Sequence, residues 1–149
     1  MNPFDLKSAL LARHAQHVVL IHFPIALFLT GVLFDFVAHW KNSRVLAAAA
    51  YYNLLAAAIS CVPVLATGIL AWQWQLEGQR LKGILLEHVV FAAVSCALIW
   101  LAAWMQFRSH RKPLRDRTSG RLPIEFAAAI CIALTAHLGG FLSGVNGPG

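Results

Sequence analysis

Histidine is the residue type best suited to chemistry in this 149-residue chain, which carries seven of them. His17, His22, His88 and His137 stand among long apolar runs. A neutral imidazole there can ligate a metal ion or take an axial position on haem iron through one ring nitrogen. The three cysteines, Cys61, Cys96 and Cys131, each stand in a different apolar block, and none belongs to a C-x-x-C or C-x-x-C-H motif. They read as small apolar core residues, and covalent c-type haem attachment is excluded. No nucleotide-binding loop and no serine or cysteine placed with a general base is present, so the chain does not read as a self-sufficient enzyme.

The elements that must position these histidines follow from composition. Hydrophobic residues make up 59% of the chain and charged residues 12%, against about 45–50% and 25% in soluble domains. The apolar residues fall in four blocks, approximately 18–40, 45–74, 84–107 and 122–144, each long enough to cross a hydrocarbon core of about 30 Å. The expected fold is all-α, an integral membrane up-down four-helix bundle forming one transmembrane domain over residues 1–149. Residues 1–16, with Phe4, Leu6, Leu10 and Leu11, suit a short interfacial helix ahead of an uncleaved first span. Pro123 followed by Glu125 resembles a helix first turn. Trp40, Trp72, Trp74 and Trp104 stand at block ends, where the indole ring favours the headgroup region.

A formal net charge of +6 would point a soluble chain toward nucleic acid. Here Lys41, Arg44, Arg108, Arg111, Lys112, Arg115, Arg117 and Arg121 lie between blocks one and two or three and four, so they read as a topology signal in a lipid bilayer and no nucleic acid is expected. The positive-inside rule then places both termini on the outer side.

With alternating spans, His22 and His88 each stand four residues into a block, about 6 Å below the outer boundary, and His137 about 10 Å below it. His17 lies just above. Ionisable residues inside spans mark sites, and three helices delivering imidazoles to one layer suit a haem b held by two axial ligands. Equal depth on diagonal helices favours His22 with His88 as the axial pair and His137 as the alternate. His17 supplies a ligand for a second haem, although one is favoured. Gly139, Gly140, Gly144 and Ala136 offer a flat surface for the ring. A haem-free metal site using His17, His22, His88, His137 and Glu87 is the first alternative. The second is an anchor subunit packing Ala47 to Ala50 and Ala56 to Ala58 against a larger membrane complex.

The remaining polar groups have simpler expectations. Pro24 removes an amide inside the first span and kinks it, and Pro63 acts likewise in the second. Asp35 is expected to pair with Arg44 or with a basic residue of the second inner loop. Glu87 suits pairing with Arg80 or Lys82, or orientation of a histidine.

The segment His17-Val-Val-Leu-Ile-His22-Phe23-Pro24-Ile25-Ala26-Leu27, followed by Asp35, resembles the signature of the bacterial membrane family catalogued as domain of unknown function 2231. Val18 replaces that signature's usual proline. The likeness extends through Thr67-Gly68-Ile69-Leu70-Ala71-Trp72, with Ala71 where an aspartate is frequent, through Glu87-His88, and ends in Thr135-Ala136-His137-Leu138-Gly139-Gly140. It implies four spans in a bacterial inner membrane. Similar versions stand beside periplasmic dehydrogenases and c-type cytochromes, which implies electron transfer between such a partner and quinone or other membrane subunits.

Overall fold

The computed structural model describes residues 15–112 and 120–144. The expected interfacial helix falls mostly on residues 1–14, and Arg115 and Arg117 on 113–119, outside the described residues. Helix α1 (Ala15–Leu20) is followed after Ile21 by α2 (His22–Lys41), and then come α3 (Arg44–Gln75), α4 (Gly83–Ser109) and α5 (Arg121–Leu142). No strand occurs among the described residues. Four segments are long and apolar enough to cross a membrane: Gln16–Lys41, Arg44–Trp74, Gly83–Ser109 and Arg121–Leu142.

Local sequence explains the boundaries. The helix breaks at Ile21, within one turn of Pro24, which has no N–H to offer Leu20 O. The chain reverses between α2 and α3 over only Asn42 and Ser43. Asn42 takes a left-handed conformation (φ 50°), which asparagine tolerates better than most residues, and Ser43 caps the next helix by accepting from Leu46 N. Pro63 lies inside α3 without ending it. Arg121 starts α5, so Glu125 lies beyond the first turn, on the face of Arg121 one turn earlier. The expectation that Glu125 marks the helix start is therefore corrected: the side chain is buried in the bundle.

Packing is organised as two antiparallel hairpins. In the first, His17 meets Thr67, and Gly31 meets Asn53 and Leu54. In the second, His88 meets Thr135, and Arg121 meets Gln106 and Ser109. Contacts within each hairpin are the most extensive, and the first and third spans lie diagonally, as do the second and fourth. The core is built of Phe28, Leu54, Ala57, Ala58, Cys61, Ile99, Ala102, Ala103, Ala128 and Ile132. Large apolar side chains such as Leu33, Phe36, Trp40, Val62 and Trp104 face outward, the arrangement that lipid solvates and water does not. Ala47, Ala50, Ala57 and Ala58 are buried within the chain. The alanine positions expected to face a larger complex are thus largely used inside, where small side chains let α3 approach its neighbours.

The two hairpins share one register. Pro24, Phe28, Gly31, Asp35 and Ala38 are buried in α2, and the residues 71 positions later, Ser95, Ile99, Ala102, Gln106 and Ser109, are buried in α4. Ala50, Leu54, Ala57 and Cys61 of α3 correspond in the same way to Arg121, Glu125, Ala128 and Ile132 of α5. Both hairpins therefore present the same helical faces inward, as parallel repeats about an axis along the bundle do.

Candidate functional site: a pair of equivalent histidines

The 71-position register also relates His17 to His88 and Gly68 to Gly139. Each histidine begins a span, and each ring lies against the glycine near the end of the following one. A Cβ on Gly68 would stand 3.1 Å from His17 Cε1, and one on Gly139 would stand 3.2 Å from His88 Cε1. Glycine is needed at both places because only a bare backbone lets an imidazole come this close.

Both rings are held through Nδ1. His88 Nδ1 lies 3.1 Å from Thr135 O. A carbonyl only accepts, so Nδ1 carries the proton and Nε2 presents its lone pair. His17 Nδ1 lies 3.2 Å from Thr67 Oγ1. The Thr67 hydroxyl also reaches Pro63 O at 2.9 Å and Val64 O at 3.1 Å, so with its proton on either carbonyl it accepts from His17 Nδ1–H. Ser95 Oγ reaches Thr135 Oγ1 at 3.2 Å, and Thr135 Oγ1 donates to Cys131 O at 2.8 Å. The carbonyl turn that holds His88 is itself held.

The other two histidines of this end are placed differently. His22 is exposed and donates from Nδ1 to Val18 O of the preceding turn at 2.7 Å. His137 is exposed, with its ring edge-on to Phe141 at 5.0 Å between centroids. Among the described residues no group of three or more His, Cys, Asp or Glu side chains comes together to hold a metal ion. The four-ligand alternative is left without geometric support. Gly139 lies against His88, and Gly140 O accepts from Ser143 Oγ at 3.1 Å, so the glycine surface expected to meet a macrocycle is taken, at Gly139, by an imidazole. Glu87 is exposed and forms no ion pair among the described residues.

Sequence reasoning read depth along the helix and not direction around it. His17 and His88 each precede a buried residue, Pro24 and Ser95, by seven positions, two helical turns. His22 is five positions from His17, well off that face. The signal that finds the pair is the repeated triplet His17-Val18-Val19 and His88-Val89-Val90, with Gly68 and Gly139 at the same spacing.

A second polar group, at the opposite end of the bundle, combines residues from three spans. Arg121 Nη2 donates to Asp35 Oδ2 at 2.8 Å and Oδ1 at 3.0 Å, and its Nη1 donates to Ser109 Oγ at 3.0 Å and Gln106 Oε1 at 3.3 Å. Asp35 thus pairs with a basic residue from beyond the third span, as its position suggested, and not with Arg44. His110 stacks on Tyr51 nearby in sequence terms to Ser109, with 4.5 Å between centroids.

Comparison with known proteins adds one finding. The profile of a family described as a predicted membrane protein (DUF2231) matches residues 13–147. No curated protein and no solved structure matches the chain.

Proposed function

The chain belongs to the DUF2231 family of membrane proteins, whose profile matches residues 13–147, and we propose that its chemistry lies inside the bilayer, as a haem b-binding electron-transfer subunit. The observation that carries this reading is the equivalence of His17 and His88. Two imidazoles from diagonal helices, His88 held through Nδ1 by Thr135 O and His17 through Nδ1 by Thr67 Oγ1, supply the pair of nitrogen donors that a bis-histidine haem takes. A bound haem b would supply one-electron redox chemistry. The chain's own part is to hold both rings by Thr67 and Thr135, to keep them against glycine backbone, and to surround them with apolar helices.

This revises the pair favoured from depth alone. His88 stays, His17 takes the place of His22, and His22 and His137 become residues beside the site. On the positive-inside orientation the site faces outward, which suits a periplasmic dehydrogenase or c-type cytochrome on one side of the transfer and quinone or other membrane subunits on the other.

The test is direct. Protein purified in detergent is expected to show a Soret band and a pyridine haemochrome of b type. His17→Ala and His88→Ala are each expected to lose the bis-histidine EPR signal, while His22→Ala and His137→Ala retain it. A colourless, metal-free preparation that keeps its helical fold overturns the proposal.

A further inference from the structure

The polar group at the end remote from His17 and His88 is not satisfied from within. Asp35, Gln106, Ser109, Arg121 and Glu125 are all at most 5% exposed. Among the described residues, Arg121 Nε, Gln106 Nε2 and both carboxylate oxygens of Glu125 complete no hydrogen bond of good geometry, although the Gln106 amide stands beside the Glu125 carboxyl. In a bilayer such groups find no water from the lipid side, so each is an uncompensated cost unless something else meets it.

Packing does not require them. The positions related to Arg121 and Glu125 by the common register are Ala50 and Leu54, both fully buried. One hairpin fills this layer with apolar side chains and the other with a guanidinium and a carboxyl. That difference is where the two halves of the bundle part most sharply in chemistry.

Charge and hydrogen bonding together select the ligand. The charged and polar groups acting on Glu125 are Asp35 from α2, Gln106 from α4 and Arg121 from its own helix, while the buried α3 residues of the common register are Ala50 and Leu54. Asp35 and Arg121 neutralise one another. An ionised Glu125 would leave one net negative charge, with no second cation among the buried side chains described. An anion would be repelled by Asp35, and a metal ion would meet a single carboxylate beside a guanidinium. The unmet set consists of two N–H donors and a carboxyl group, which water complements by accepting from the first and bridging to the second.

We propose that Glu125 is a proton-binding site, loaded and unloaded through water that bridges its carboxyl to Arg121 Nε and Gln106 Nε2. In loading, a hydronium ion gives its proton to the Glu125 carboxylate and leaves as water. In unloading, water takes the proton back. Neither step needs a redox partner, so the site operates whether or not the histidine pair binds haem.

Infrared spectroscopy of the full chain in lipid nanodiscs at neutral pH tests this. The chain has only six Asp and Glu residues, so the carbonyl stretch of one protonated acid is resolvable. It is expected in the native protein, to shift within minutes of transfer to D2O, and to be absent in Glu125→Gln. Glu125→Leu, which copies the residue of the related hairpin, is expected to lose it too while keeping the native circular dichroism. Absence of the band in the native protein, its persistence in Glu125→Gln, or failure to shift in D2O in the folded protein each overturns the proposal. Should Glu125→Leu not fold, Glu125→Gln carries the comparison alone.

Discussion

Asp35 and Arg121 form an ion pair between two helices that otherwise touch little, with Arg121 Nη2 2.8 Å from Asp35 Oδ2 and both side chains buried. The pair ties the end of the first span to the start of the fourth, and so ties one hairpin to the other. Removing one partner leaves the other as an uncompensated buried charge. Asp35→Ala is expected to destabilise the bundle by about 3–5 kcal/mol. Replacing both partners with leucine is expected to recover most of that loss. Reversible unfolding in mixed micelles measures both, and equal stability of the single and double variants would contradict this account.

The contact between His88 and Gly139 gives a local prediction. A methyl group on Gly139 would stand 3.2 Å from His88 Cε1, tight enough to push the ring away from Thr135 O. Gly139→Ala is expected to leave overall stability within about 1 kcal/mol, because the weakened His88 hydrogen bond is offset by the higher helix propensity of alanine. In 15N spectra of histidine-labelled protein it is expected to remove the fixed Nδ1–H signature of His88. Gly68→Ala is expected to do the same to His17, and an unchanged His88 signal in Gly139→Ala would refute the packing described.

The turn between the first two spans offers a backbone test. Asn42 has φ 50°, where a β-branched side chain is strained. Asn42→Val is expected to lose about 1–2 kcal/mol, while Asn42→Gly is expected to be tolerated. Thermal unfolding of the two variants side by side distinguishes them.

Sidedness follows from charge. Lys41 and Arg111 lie at one end of the bundle and Gln79 at the other. In a cysteine-free background, Gln79→Cys is expected to react with a membrane-impermeant thiol reagent added to intact cells, and Lys41→Cys only after permeabilisation. The reverse pattern would invert the assigned orientation.

The four spans are legible because lipid demands apolar length, and the blocks end where charges cluster, at Lys41 and Arg44 and again from Arg108 to Arg121. The layer of imidazoles was legible as depth. What sequence alone did not reveal was azimuth, since apolar residues surround every helix and give no amphipathic stripe to tell an inward face from a lipid-facing one. Depth alone favours His22 beside His88, whereas His17 is the partly buried one of the two first-span histidines and His22 is exposed. Arg121 was read as a loop charge and Glu125 as a first-turn carboxylate, because Pro123 drew the expected start of the helix past the arginine. Both belong to one buried face four positions apart.

The common register bears on what a single chain can do that two identical ones cannot. In a symmetric dimer of either hairpin, a residue beside the axis meets its own copy: aspartate would face aspartate and arginine would face arginine. Joining the halves in one polypeptide lifts that constraint. Gln106 occupies the position related to Asp35, and Arg121 the one related to Ala50, so one cation is shared by an acid from one half and an amide from the other. The histidines keep the twofold relation while the polar layer at the far end breaks it. The twofold relation thus holds for the histidine–glycine contacts at one end of the bundle and is broken by charge at the other.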